Sequence, residues 1–414
     1  MCSDGRTAPS SSSPAFVASR PRRRRSSFIA GPGLPTPHLA GQDWRVRPRT
    51  TILAVGAVGA VAAAALAPAA LGDAAIHTWP PFVLVTGLLL IGVVANEDGL
   101  FLRAAGLLAR LPGGSLPLYV VAMLLVAVVT VFLNLDTSVA FLTPVLVHLA
   151  RRRGAGELRF LYGCVFMSNA ASLLLPGSNL TNLLILSTEH VSGSTFLSRM
   201  AAPWLAAVAV TIVVVAFAFR SGQSAAVTPD PDAPRSRLLS VLGIGAAVVL
   251  ILVLADSALP VLGVGVALVA VRLGQRRVDV ARVRGQVDVR ILVGVFLVAI
   301  SLGAVARVWS YPGLLMATAG SIETAAIGAA ASVLVNNLPA AVLLGSRMPL
   351  HARSLLFGLN VGPNLAVTGS LSALLWWQAA RSVGARPSAR RYSAIGIVLV
   401  PLTIAAALAA ARLP

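Results

Sequence analysis

The stretch MSNAASLLLPGSNLTNLL, residues 167–184, places proline, glycine, serine and asparagine in the middle of an otherwise apolar run. A helix that simply crosses a bilayer does not need these residues together at its centre. Backbone that leaves the helix inside a membrane is tolerated only where protein buries it or where it lines a water-filled cavity. The stretch therefore predicts a broken membrane helix that lines a binding site.

Three further stretches break apolar runs in the same way: LNLDTS at residues 133–138, VNNLPA at 335–340 and LNVGPNLAVTGSLSALLWW at 359–377. Each half of the chain thus has an Asn-centred break and then a second break that carries Gly-Ser. Asn169 lies nine residues before Ser178, and Asn360 lies ten residues before Ser370. Paired broken segments in two halves are typical of a secondary transporter with inverted repeats and a site near the bilayer midplane.

The composition agrees with a membrane location. Of 414 residues, 57% are hydrophobic and 11% are charged, and the mean hydropathy is +0.84. A soluble domain carries about 25% charged residues, so an ordinary cytosolic enzyme is excluded. Because a spanning helix needs about 20 apolar residues, the apolar runs predict an all-α polytopic membrane protein with about 10–12 membrane segments. We expect two inverted repeats with re-entrant hairpins and broken helices.

The composition also divides the chain. Residues 1–50 are rich in Ser, Pro and Arg and are predicted to be a disordered tail. Residues 51–220 form the predicted first repeat, and residues 238–414 form the predicted second repeat. Residues 221–237 are polar and Pro-rich, which is typical of a linker.

All 33 basic residues are arginine, and the formal net charge is +19. The arginines cluster in loops, which is the positive-inside pattern of a multi-pass protein in the inner (plasma) membrane. The lipid bilayer is therefore the predicted partner, and nucleic acid is not. Alternating spans from a cytoplasmic N-terminus place residues 381–391 outside, against this rule, unless residues 355–377 turn back on themselves.

The breaks predict two cradles of neutral donors and acceptors. The first contains Asn134, Ser178, Asn179, Thr181 and Asn182, and the second contains Asn336, Asn337, Asn364, Thr368 and Ser370. Side chains of this kind suit a small hydroxyl-bearing solute or a sodium ion. A small inorganic or organic solute is therefore the predicted cargo.

Asp136, with Thr137 beside it, is the sharpest single candidate. A carboxylate between membrane spans is costly and is therefore a functional hypothesis by default. Asp136 could carry a proton, or it could ligate a cation. The alternative is that it caps the helix that follows, since LDTS is a capping sequence.

The chain has no Walker A phosphate loop, no H-E-x-x-H motif and no Rossmann G-x-G-x-x-G in the proper context. These observations predict a protein that is not an enzyme and that has no metal or cofactor. Transport energy would come from a Na⁺ or H⁺ gradient, or from a separate ATPase subunit. A different class of function, a membrane scaffold or a subunit of an enzyme complex, is an open alternative.

Four stretches in order, NLDTSVAFLTPVLVHLARRRG, NAASLLLPGSNLTNLL, VLVNNLPAAVLLGS and GLNVGPNLAVTGSLSALLWWQAAR, resemble the arsenical pump membrane protein family of the ion transporter superfamily. Relatives of that family include sodium/proton antiporters and sodium-coupled carboxylate and citrate carriers. The resemblance covers about residues 80–410. It implies export of arsenite or antimonite as neutral hydroxides, with Asp136, Ser178, Asn179 and Asn182 in one site and Asn336, Asn337, Pro363, Asn364, Gly369 and Ser370 in the other.

Three positions depart from the arsenite pumps that this chain resembles. Those pumps often carry Asp where Asn169 and Asn360 stand, and Lys where Asn364 stands. The four stretches nevertheless lead to the hypothesis that the protein exports arsenite and antimonite and is coupled to protons through Asp136. A sodium-coupled carboxylate or anion carrier, or a sodium/proton antiporter, is the alternative within transport, and a homodimer is a possible assembly.

Overall fold

A computed structural model describes residues 43–189, 191–219, 238–254, 256–347 and 349–412, which are helices and short connections without any strand. Most of the predicted tail and of the linker, residues 1–42 and 220–237, lies outside these ranges. The first half contains α1 (Asp43–Leu66), α2 (Pro68–Glu97), α3 (Leu100–Ala109), α4 (Ser115–Phe132), α5 (Leu135–Arg152), α6 (Glu157–Ala171), α7 (Leu180–Glu189) and α8 (Gly193–Ala218). Helix α1 begins inside the stretch predicted as tail.

The second half contains α9 (Leu238–Val253), α10 (Ala258–Gly274), α11 (Val280–Gln286), α12 (Val289–Val308), α13 (Tyr311–Thr318), α14 (Ser321–Val335), α15 (Asn337–Leu344), α16 (Ala352–Val361), α17 (Leu371–Ser382) and α18 (Ala389–Ala410). Short 3-10 turns at Pro176–Ser178, Gly362–Leu365 and Val367–Gly369 lie in the broken helices. By length and apolar composition, α2, α4, α8, α12 and α18 could each cross a membrane. The predicted all-α polytopic membrane fold is confirmed.

The two halves repeat one order of elements. A long helix (α2 or α12) is followed by a short helix, a helix pair, a broken helix and a second long helix (α8 or α18). Equivalent elements pack against each other, α2 on α12 and α8 on α18, while α5 packs on α17 and α7 packs on α15. These reciprocal contacts are those of two repeats related by a pseudo-two-fold axis.

Helices α4 and α5 form a hairpin whose two ends lie at the same face of the protein. The Arg153 guanidinium, after α5, donates to the Gly113 carbonyl just before α4 at 3.1 Å and to the Leu111 carbonyl at 3.0 Å. It also donates to the last carbonyl of α3, that of Ala109. The chain therefore enters and leaves the membrane on one side, with Asn134 at the tip of the hairpin.

Other arginines of the described residues lie at this same face. Arg151 donates to the Val383 carbonyl at 2.7 Å, and Arg159 donates to the Phe219 carbonyl. Arg272 pairs with Asp98 at 2.6 Å, and α3, whose ten residues are about 15 Å long, is too short to take the chain across a bilayer. The positive-inside rule predicts that this arginine face is the cytoplasmic one.

The expectation that alternating spans place residues 381–391 outside is wrong, as is the suggestion that residues 355–377 turn back. Helix α12 leads away from the arginine face, so α14 and α15 form a second hairpin that enters from the opposite face. Its ends are held together by the Leu350 N–H, which donates to the Met316 carbonyl at 3.4 Å. Both hairpins return to their own face. Counting residues 317–344 as a single crossing, when they form the hairpin of α14 and α15, placed the last loop on the wrong side.

Arg153 stabilises three backbone ends at once, which allows a direct test. We expect Arg153→Ala to lower the free energy of unfolding by about 1–2 kcal/mol, because two half-buried carbonyls and one exposed carbonyl lose charge-assisted hydrogen bonds. Thermal unfolding of the purified protein in detergent measures this. Arg152→Ala is the matched control, since Arg152 is exposed, and an equal loss in both variants would contradict the capping role.

Candidate functional site

An asparagine in an unusual backbone conformation forms the tip of each hairpin. Asn134 has φ 153° and Asn336 has φ 76°, values in a region that L-residues rarely adopt. Each side chain caps the helix that follows: Asn134 Oδ1 accepts from the Thr137 N–H at 2.7 Å, and Asn336 Oδ1 accepts from the Leu338 N–H at 3.4 Å. Asparagine suits both positions because it tolerates positive φ and caps helices.

Asp136 has a different role from the capping role considered for it. Asn134 is the cap, and the Asp136 carboxylate instead accepts a hydrogen bond from the Ser372 hydroxyl at 2.5 Å. Ser372 lies in the first turn of α17, so this contact joins the two repeats. Asp136 is half-buried, and it is the only ionisable side chain in the four broken stretches.

Each hairpin tip is bonded to the broken helix of its own repeat. The Ser178 hydroxyl donates to the Val131 carbonyl near the first tip at 3.2 Å. At the second tip, Asn336 Nδ2 donates to the Thr368 carbonyl at 3.1 Å. The first contact is buried, whereas Thr368 is exposed and Asn336 is half-buried.

Buried amides join the two broken helices to each other. Asn360, at the end of α16, accepts from Asn179 Nδ2 at 2.8 Å and from the Thr181 hydroxyl at 2.5 Å. Its own Nδ2 donates to Asn182 Oδ1 at 2.6 Å. All four side chains are at most 2% exposed, so this is a buried, neutral contact across the repeat boundary.

A second amide pair lies beside the first. Asn169 Nδ2 donates to Asn364 Oδ1 at 2.7 Å, and both side chains are fully buried. The 15 residues of α6 and the 12 residues of α17 separate the breaks from the arginine face by about 22 Å and about 18 Å. In a hydrocarbon core about 30 Å thick, the amides therefore lie deep within the membrane.

The remaining predicted residues have structural surroundings of their own. Ser370 caps α17 by accepting from the Ala373 N–H at 3.1 Å. Gly369 packs against Pro363, where a Cβ would lie 2.8 Å from the Pro363 Cα. Asn337 is buried in the first turn of α15. The structure thus brings the first cradle and Asn364 into one buried region, with Asn336 and Thr368 at its more exposed edge.

Four buried polar atoms of this region have no hydrogen-bond partner among the described residues: Asn134 Nδ2, Thr137 Oγ1, Asn169 Oδ1 and Asn364 Nδ2. A buried polar atom without a partner costs about 1–3 kcal/mol. Such atoms gathered at helix breaks are typical of a site that holds water or a solute. They offer amide and hydroxyl groups only, with the Asp136 carboxylate nearby.

Asn169, Asn360, Ser372 and Tyr392 were not among the predicted site residues. The sequence did mark Asn169 and Asn360, because they precede Ser178 and Ser370 by the similar distances of nine and ten residues. Ser372 and Tyr392 gave none, because their importance depends on partners more than 25 residues away in the chain. The Tyr392 hydroxyl on α18 donates to the Pro363 carbonyl in the second break at 3.1 Å.

We expect Tyr392→Phe to weaken solute binding while lowering the free energy of unfolding by only about 1 kcal/mol, the usual contribution of one hydrogen bond. The physical reason is that the unwound backbone at Pro363 loses a tether. Tyr119→Phe is the matched control, because Tyr119 is as buried and donates to the Ile212 carbonyl away from the breaks. Equal loss of affinity in both variants would contradict a positioning role for Tyr392.

A family model described as a citrate transporter matches residues 43–373 of this chain. The chain belongs to the citrate transporter family. The crystal structure of the Alcanivorax borkumensis YdaH transporter, reported to have an unusual topology, matches with a TM-score of 0.54 at 14% identity, over 83% of this chain and 87% of that one. That likeness supports the shared fold.

The family match bears directly on the sequence-based resemblance. It confirms a secondary transporter of the ion transporter superfamily. The narrower assignment to the arsenical pumps stays a prediction. For a member of this family, the amides and the carboxylate between the broken helices are the candidate transport site.

Proposed function

We propose that this transporter exports arsenite and antimonite as neutral trihydroxides across the inner (plasma) membrane, in exchange for protons carried by Asp136. The observation that carries the proposal is that Asp136 is the only ionisable side chain in the four broken stretches and bonds to the opposite repeat. A group that alternates between two protonation states at such a contact can couple proton movement to the repeats.

The internal repeat makes this carboxylate asymmetric. Asp136 follows the tip Asn134 by two residues, and Ser372 follows Ser370 by two residues. The equivalent positions after Asn336 and after Ser178 are leucines, Leu338 and Leu180. Because leucines stand at both equivalent positions of the other pairing, the proposal involves one proton site for each transporter.

The lining supports a neutral cargo. No arginine occurs in the four broken stretches, and the chain has no lysine. A multiply charged anion would normally need a cationic side chain, because hydrogen bonds from neutral groups compensate its lost hydration only in part. The amide and hydroxyl groups suit the hydroxyls of As(OH)₃ and Sb(OH)₃.

A sodium-coupled carboxylate carrier is the second candidate, and two observations favour it. Helices α5, α7, α15 and α17 all begin at the breaks, and helix N-termini carry partial positive charge that attracts anions. The family model is also described as a citrate transporter. Amide and hydroxyl oxygens could ligate the sodium ion. A sodium/proton antiporter is a third reading, and it would move no solute.

Transport by the purified full-length protein in proteoliposomes tests the proposal. We expect arsenite movement that follows an imposed pH gradient and does not change when sodium replaces choline. Protein-free liposomes provide the control. Citrate uptake that requires sodium, with no arsenite movement, would establish the second candidate instead. The homodimer and the separate ATPase subunit stay predictions. The scaffold alternative loses its support, since the family consists of transporters.

A further inference from the structure

Asn169 and Asn364 differ from the other amides between the two broken helices. The other amides are hydrogen-bonded to one another and to the backbone of the first break; they belong to Asn179, Asn182 and Asn360. The Asn169–Asn364 pair makes one internal hydrogen bond, at 2.7 Å. One acceptor, Asn169 Oδ1, and one donor, Asn364 Nδ2, are left without a partner among the described residues.

Both side chains are fully buried, so neither atom reaches bulk solvent. Leaving such atoms unsatisfied is costly, because each has lost its hydration and gained no hydrogen bond in return. The two atoms belong to side chains that are hydrogen-bonded to each other. One atom is an acceptor and the other is a donor. A ligand that satisfies both must donate and accept hydrogen bonds over a short distance.

We propose that Asn169 Oδ1 and Asn364 Nδ2 together bind a hydroxyl group of the cargo. The hydroxyl donates its proton to Asn169 Oδ1, while its oxygen accepts from Asn364 Nδ2. This inference rests on the proposed function and deepens it, because it assigns the cargo to the class of neutral hydroxylated solutes and names the two residues that recognise it.

The pair discriminates between the cargo classes by its chemistry. A carboxylate only accepts hydrogen bonds, so beside this pair it would satisfy Asn364 Nδ2 and leave Asn169 Oδ1 facing another oxygen. A sodium ion could be ligated by Asn169 Oδ1, but it would leave the amide N–H of Asn364 Nδ2 facing a cation. Only a neutral hydroxyl or a similar donor–acceptor group satisfies both atoms, because specificity at buried polar sites comes from groups left unpaired.

The double variant N169L/N364L tests the proposal with a small effect on folding, because replacing both partners of a buried hydrogen bond with apolar groups of similar shape is nearly neutral. Arsenite affinity is measured by equilibrium dialysis of the full-length protein, together with its thermal unfolding. We expect affinity to fall by roughly tenfold or more, the effect of one to two lost hydrogen bonds.

The control variant S321A/S354A removes a cross-helix hydroxyl pair outside the four broken stretches, in which the Ser321 and Ser354 oxygens lie 2.8 Å apart and each is the other's partner. It should bind arsenite as the unmodified protein does. A second measurement needs no variant: boric acid, a neutral trihydroxide, should displace arsenite from the unmodified protein, whereas succinate, a carboxylate without a hydroxyl group, should not. This measurement keeps the proposal testable if the leucine pair does not fold.

The outcomes separate the two proposals. If arsenite is transported but N169L/N364L binds it normally, or boric acid fails to compete, the hydroxyl-recognition proposal is overturned and the proposed function stands. If citrate is carried and arsenite is not, the proposed function fails. Citrate also has a hydroxyl group, so the hydroxyl-recognition proposal is then decided by citrate affinity, and an unchanged affinity in N169L/N364L overturns it. Loss of arsenite affinity in N169L/N364L but not in the control variant, together with competition by boric acid, supports both proposals.

Discussion

Asp136→Asn is expected to reduce proton-driven arsenite export to the level of protein-free liposomes. Asparagine keeps an oxygen that can accept from the Ser372 hydroxyl, so the contact between the repeats is retained. It cannot gain and lose a proton in the working pH range. The protein should therefore fold and bind arsenite, yet show no pH-driven exchange. Transport in proteoliposomes at several imposed pH gradients measures the effect.

The matched control is Asp256→Asn, the same substitution at an exposed carboxylate in the turn between α9 and α10. Its transport should be unchanged. Ser372→Ala adds a second comparison. As a single substitution it should slow proton-driven exchange, and combined with Asp136→Asn it should have no further effect. Arsenite export by Asp136→Asn with an unaltered dependence on pH would remove Asp136 from the coupling mechanism.

Charge substitutions at Asn169 and Asn364 are expected to have the largest effects on stability. Asn169→Asp or Asn364→Lys alone places one unpaired charge where the side chain is fully buried. A buried charge without its partner costs about 3–5 kcal/mol, so each single variant should unfold at much lower temperature. Together the two charges face each other where the amides are now 2.7 Å apart, and the double variant should recover most of the loss.

A double-mutant cycle measured by thermal unfolding quantifies this recovery. The reversed pair, Asn169→Lys with Asn364→Asp, tests whether the recovery depends on which side carries the acid. Additive losses in the double variant would show that the two side chains do not interact as the structure has them. The resemblance to arsenite pumps, which often carry Asp and Lys at these positions, gives this pair its interest for substrate selection.

The repeat and its breaks were predictable because they depend on local composition. Asn134 and Asn336 could be recognised from sequence, since few residues other than asparagine both tolerate positive φ and cap the next helix. The capping reading of Asp136 was wrong because Asn134, two residues earlier, occupies the cap. Asp136 was free to bond elsewhere, and its partner Ser372 is 236 residues away.

The orientation of the last loop shows the same limit. Residues 381–391 were expected outside because residues 317–344 had been counted as one broken crossing. They form the hairpin of α14 and α15 instead, whose ends are held at one face by the Leu350 N–H and the Met316 carbonyl, while Arg151 holds the Val383 carbonyl at the arginine face. A broken crossing helix and a hairpin of two shorter helices have nearly the same hydropathy, so the apolar pattern could not distinguish them.

Apolar length, turn chemistry and charge placement are properties of neighbouring residues, so the membrane fold, the two repeats, the four interruptions and the single acid among them could be predicted without coordinates. Which interruptions touch, which amides satisfy one another, and which atoms of Asn169 and Asn364 have no partner among the described residues became visible only in the folded protein. Those outcomes depend on the antiparallel packing of two broken helices, and hydrogen bonds across that contact join residues nearly 200 positions apart.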